Sequence, residues 1–194
     1  MDLARWLRVG ERPQPAAAAT GLRRVYSYLW PVPNINRPDF DEPRERPGFC
    51  CKRARVGAQA GCERLGLSLW ELPAGQAAYP YHHHLAEEEL LVILSGQPSL
   101  RTPDGWRELE EGEVVAFPRG ERGAHQLVNR SAETVRVLAF SSSGEPDIVI
   151  YPDSAKLGAY ERLPGGGGLR KLFRLGDAVD YYEGERPPDP VEPG

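Results

Sequence analysis

The sequence predicts an all-β domain, a sandwich or small barrel, carrying an extension at each end. Three observations predict it. The 194 residues include 21 Gly and 19 Pro, many of them set between short apolar runs, which is the punctuation of tight turns. The apolar runs are of strand length, and long helical patterns are scarce. Turn signals recur at short intervals, with Pro103-Asp104-Gly105 the strongest, followed by Glu111-Gly112 and Asn129-Arg130-Ser131.

Taken in order, residues 1–48 differ in texture from the rest. An alanine run leads into WPVPNINRPDFDEPRERPG, too rich in proline for a helix or a central strand, so this stretch reads as an arm. Leu3, Trp6 and Leu7 can form at most one amphipathic turn within it. Residues 49–154 hold the strands, expected over 64–72, 88–94, 99–102, 106–109, 114–117, 125–129, 134–140 and 147–151. Residues 155–194 form a C-terminal extension. Its glycine joint, Gly165 to Gly168, precedes LRKLFRLGDAVDYYEGE, apolar enough to fold back onto a surface.

Composition narrows the function classes. Hydrophobic residues make up 40% and charged residues 27%, as in an ordinary soluble domain. A net charge of -4, with basic residues scattered among acidic ones, gives no footprint for nucleic acid. No apolar segment has the length of a signal peptide or a membrane span, so a cytoplasmic location is expected, with no membrane partner. The three cysteines are an odd count; Cys50 and Cys51 are neighbours poorly placed to bridge each other, and no Cys-x-x-Cys is present. They read as reduced thiols outside any site.

Chemistry concentrates in PYHHHLAEEELLVILSG, residues 80–96. On a strand alternate side chains share a face, so His82 and His84 point one way and His83 the other, toward the surface or a supporting position. The run Leu90 to Leu94 reads as a buried strand ending at Ser95-Gly96, which returns Glu89 beside the histidines. Further on, GEVVAFPRGERGAHQLVN carries a second corner and strand; His125, Leu127 and Asn129 share a face that can set His125 opposite the first pair.

These residues resemble the cupin superfamily. Its first motif runs Gly, about five residues, His-x-His, three or four residues, Glu, six residues, Gly; here stand Gly75, His82-His83-His84, Glu89 and Gly96. Its second motif, Gly, five residues, Pro-x-Gly, two residues, His, three residues, Asn, is similar to Gly112, Pro118, Gly120, His125 and Asn129, with two extra residues within Glu121 to Ala124. The resemblance covers roughly residues 60–150 and extends, through RTPDG at 101–105 and YPDS at 151–154, to small bacterial cupins of unassigned activity. It implies a double-stranded β-helix, a jelly-roll barrel, with ligands near one mouth. It also implies activities such as those of dioxygenases, decarboxylases or sugar-phosphate isomerases.

The resulting ligand set is His82, His84, Glu89 and His125. Glu87 and Glu88 compete with Glu89, which fits on its spacing from His84 and Gly96, while Glu88 faces outward. Three imidazoles and a carboxylate suit one divalent transition metal, Fe, Mn, Zn, Ni, Co or Cu, and leave two positions of an octahedral ion open to a small-molecule ligand or substrate. The glycines and Pro118 read as turn residues, Asn129 as a holder of a loop carbonyl, and Arg101, Arg119 and Arg122 as solvated. Tyr79, Tyr81, Trp70, Trp106 and Phe117 read as core. No proton-transfer residue stands out; Glu113 reads as solvated. The expected function is a metal-dependent enzyme on a small oxygen-rich or aromatic molecule, with a non-catalytic binding or sensing module as the alternative. A homodimer is expected, because Leu90, Val92 and Leu94 face away from the ligands and the apolar arms need a surface.

Overall fold

The computed structural model of the protein describes residues 31–143, 146–161 and 167–187. The alanine run, the Leu3-Trp6-Leu7 turn and the first half of the glycine joint lie outside these described residues.

Alternation builds the main layer. Strand β1 (Lys52–Ala54) leads through a four-residue helix, α1 (Val56–Gln59), into β2 (Leu65–Leu72). After β3 (His83–His84) come β4 (Glu89–Ser95), β5 (Ser99–Thr102), β6 (Gly105–Glu108), β7 (Val114–Phe117), β8 (Gln126–Val128) and β9 (Val135–Ser142). β10 (Asp147–Tyr151), β11 (Lys156–Tyr160) and β12 (Arg170–Arg174) close the series. In β4, Leu91 and Ile93 are buried while Leu90, Val92 and Leu94 lie on the opposite face, as period-2 patterning requires. Every strand expected from the sequence forms, with ends shifted by at most two residues.

All pairing is antiparallel. One sheet has the order β1-β2-β9-β4-β7; a second has β12-β11-β10-β3; a third has β6-β5-β8. The last two are stitched together by the segment 77–84, through bridges Ala77–Val128 and His82–His125 on one side and the β3–β10 pairing on the other. The result is two facing layers. Between them lies a core of Trp70, Leu72, Ala78, Leu91, Ile93, Leu100, Leu109, Phe117, Leu127, Val135 and Val137, drawn from both layers.

Gly96 ends β4 at φ 85°, and a Cβ there would stand 2.9 Å from the Val135 side chain, so the turn needs glycine for both conformation and space. Asn129 is wholly buried; its amide donates to the Leu72 and Glu133 carbonyls, and its Oδ1 accepts from Ser131, so it ties the ends of two strands together as expected.

The outer face of the five-stranded sheet is partly covered by the chain itself. Ala54, Val56 and Leu69 form a second cluster, joined by Ile35, Phe40, Leu67, Leu94 and Leu138. Residues 35–40 of the proline-rich stretch thus occupy surface that the sequence left open around Leu94. Beyond residue 154, β11 and β12 extend the sheet of β10 by a full register from Asp147–Tyr160 to Tyr160–Arg170. No helix among the described residues is long and apolar enough to cross a membrane.

Candidate metal centre

Two elements bring the donors together. The seam 77–84 carries His82 and His84, and its bridge to His125 is a two-way backbone pair, His82 N to His125 O at 3.1 Å and the reverse at 2.8 Å. Glu89 opens β4 opposite Phe117, directly under the seam. The structure therefore gathers all four residues named from the sequence.

One carboxylate oxygen, Glu89 Oε2, lies 3.3 Å from both His84 Nε2 and His125 Nε2. The ligand atoms of His82, His84 and Glu89 lie within 4.8 Å of one another, and the rings of His82 and His125 are 4.8 Å apart. Each imidazole is turned by a hydrogen bond on its other nitrogen. His82 Nδ1 donates to Pro80 O at 2.9 Å and His125 Nδ1 to Gly123 O at 2.9 Å, while His84 Nδ1 meets Asp147 Oδ2 at 2.5 Å. With Nδ1 engaged, Nε2 is the atom each ring presents to the centre.

Three observations make the set fit a cation. His84 Nε2 and Glu89 Oε2 are buried and face each other at 3.3 Å without the geometry of a hydrogen bond, a pair of lone-pair donors that a metal ion between them would satisfy better. Burial, reinforced by neighbouring His125, pulls His82 down to about 3, and burial likewise lowers His125, so both rings are neutral donors. Burial would raise Glu89, but His84 and the other imidazoles outweigh it and hold the carboxyl at about 2, ionised.

Asp147 is the residue that sequence reasoning missed. It is fully buried at the start of β10, accepts a hydrogen bond from His84 Nδ1, and accepts Ala86 N at 3.1 Å through its other oxygen. Burial lowers His84, but the Asp147 hydrogen bond and the Glu89 carboxylate override it and raise the ring to about 9. Glu87, also buried, stands 3.9 Å from the same Nδ1. A signal was present: alternation along β10 puts Asp147 on the same buried face as Val149, which pairs with His84.

His83 departs from expectation. It is 4% exposed, paired with Ile150, with Nδ1 unbonded among the described residues, because the two-residue strand is enclosed on both sides. Glu88 is exposed as expected. Phe117 is more than core: its ring stacks on His125 at 3.8 Å and 8°. Tyr79 sets its edge against His82 and His125, and Tyr151 stacks on His82 at 5.9 Å. Arg101 is held by a bidentate pair with Asp153 and lies over Tyr81, whereas Arg119 and Arg122 are exposed. The two extra residues of the second motif coil into a 3-10 turn, Glu121–Gly123, whose last carbonyl orients His125.

Residues 68–141 match the family model described as Cupin domain. No curated protein matches the chain. Among solved structures, a candidate sugar phosphate isomerase from Acidithiobacillus ferrooxidans is 26% identical, with TM-score 0.62, covering 70% of this chain and 83% of its own. A sugar phosphate isomerase of the cupin superfamily from Silicibacter pomeroyi is 19% identical, with TM-score 0.64, covering 79% of this chain and 98% of its own, and shares the fold.

Proposed function

From the premise that this chain carries a cupin domain over residues 68–141, we propose that it is a divalent-metal-dependent enzyme on a small oxygen-rich molecule, of the sugar-phosphate isomerase kind. The observation that carries the reading is the convergence of Nε2 atoms of His84 and His125 on Glu89 Oε2, with His82 beside them and every Nδ1 already engaged. A bound divalent ion would act there as a Lewis acid on hydroxyl or carbonyl oxygens at its open positions.

The chain's own residues supply the rest. His82, His84, Glu89 and His125 would hold the ion; Pro80 O, Gly123 O and Asp147 fix the tautomers. Phe117 and Tyr79 wall the donors with apolar ring surface, which limits water around them. The likeness to the Acidithiobacillus protein favours isomerisation over the dioxygenase and decarboxylase chemistries that the donor set also suits.

A non-catalytic ligand-binding module is the second reading, and one observation favours it. The two tyrosines packed on the donor rings, Tyr79 and Tyr151, are pushed above the ordinary tyrosine range by burial, so neither is a ready base. The test is to load purified protein with Mn, Zn or Fe and follow aldose–ketose interconversion of sugar phosphates by NMR. Metal-dependent turnover supports the first reading; bound metal with no turnover across the panel supports the second.

A further inference from the structure

We propose that the cleft formed by Arg44, Arg46 and Lys156 is an anion subsite, set one ring away from the metal centre, that takes the phosphate of a phosphorylated sugar or polyol. The proposal rests on the metal-enzyme reading above and adds the substrate's charged end to it.

The cleft has a volume of about 910 Å³, enough for a small phosphorylated molecule, and Phe49 and Pro80 contribute its apolar wall. It lies behind His82 and Tyr151. Pro80, on its wall, is the residue whose carbonyl orients His82, and Lys156 Nζ stands 5.5 Å from the ring centroid of Tyr151, which stacks on His82. A ligand in the cleft is therefore separated from the site by one ring.

The charge balance favours an anion. Three cations line the cleft against one acid, Glu45. Arg44 is fixed in place, stacked over Trp70 at 4.8 Å and bonded to Ala78 O and Glu42. Arg46 and Lys156 have no carboxylate partner within salt-bridge distance among the described residues, although other cations nearby, such as Arg53 and Arg101, are paired. Arg170, over Tyr160, adds a fourth positive charge whose field, with that of Arg44, reaches the Tyr151 hydroxyl. Arg46 and Lys156, free of carboxylate partners among the described residues and grouped with Arg44 in one concavity, provide what a phosphate monoester needs: charge-assisted hydrogen bonds from more than one cation.

The test titrates full-length protein with inorganic phosphate, with ribose 5-phosphate and with ribose, reading affinity by calorimetry and bound metal by elemental analysis. Wild type should bind phosphate and the phosphorylated sugar, and ribose far more weakly. Arg46→Ala and Lys156→Ala should each weaken phosphate binding at least about fivefold, with bound metal unchanged, while Arg119→Ala, an exposed cation elsewhere, should not. Acetate in place of phosphate reports whether the site prefers a dianion; a site that favours acetate overturns the phosphate assignment. Phosphate binding that is absent, or indifferent to both substitutions, removes the subsite and leaves the metal reading intact. Protein that binds no metal yet loses phosphate binding in both variants keeps the subsite and removes the metal-enzyme reading.

Discussion

Replacing Asp147 with Asn tests whether the metal centre is tuned from behind. The carboxylate is 0% exposed, meets His84 Nδ1 at 2.5 Å, and is the group that most raises the ring's basicity. Asparagine has nearly the same volume and can still accept Ala86 N, so the packing of β10 is kept while the negative charge is lost. Supporting carboxylates of this type are worth roughly 10- to 100-fold in metal affinity, about 1.4–2.7 kcal/mol. Competition with a chelator of known affinity, using Zn or Mn, reads that loss, and near-UV circular dichroism checks that the fold is kept. Glu88→Gln, exposed on the neighbouring turn, serves as the control and should leave affinity unchanged. If Asp147→Asn binds metal within about twofold of wild type with an intact spectrum, the carboxylate does not support the ligand and the reasoning fails.

Four other outcomes are expected. His84→Ala or His125→Ala should lose most bound metal while circular dichroism stays native-like; wild-type metal content by elemental analysis in both would remove the site. Gly123→Ala should lower both melting temperature and metal affinity, by about 1–3 kcal/mol in stability, because the new Cβ would stand 1.7 Å from Pro118 O and shift the carbonyl that orients His125; an unchanged melt and titration count against this. Metal capture should release about one proton at neutral pH, since the metal-free His84 ring, raised to about 9, is charged and must lose its Nε2 proton. Affinity should therefore rise with pH by up to about tenfold per unit between roughly pH 7 and 9, and calorimetry in buffers of different ionisation enthalpy that finds no proton release refutes it. Light scattering should show a homodimer at micromolar concentration, using the remaining apolar surface that includes Phe140 and Val114; a monomer ends that expectation.

Much of this was legible because the informative signals are local. Period-2 alternation and Gly or Pro punctuation depend only on neighbours, so β5, β7 and β10 fall where the sequence sets them and the other expected strands differ only at their ends. The clustering of His82, His84, Glu89 and His125 was legible because their spacing maps onto one seam and one facing strand. What escaped depends on contacts distant in sequence. Helix α1 is four residues long, too short for any periodic signal, and packs so closely on β2 that Gly57 has no room for a Cβ against Leu67 N. Strand β1 is three residues long and takes its register from β2. β11 and β12 lie in a stretch that reads as an extension, yet they are held by pairing to β10 rather than by a strong pattern of their own; all five residues of β12 are exposed. Asp147 looked like the polar start of a strand, and only the pairing of Val149 with His84 turns it into a partner of the site.

That pairing also decides how the C-terminal strands bear on the chemistry. β10 carries Asp147 behind His84 and Tyr151 against His82, so two of the four donors are oriented or packed by one strand. On its other edge β10 is closed by β11, through five residue pairs and the Tyr151–Tyr160 hydroxyl contact at 3.0 Å, and β11 is closed in turn by β12. An edge strand left open would fray and take its side chains with it. The residues beyond 154 therefore act on the centre through backbone: they hold β10 in register, β10 holds His84 and His82, and Lys156 in the first of these strands faces the cleft beside the same tyrosine.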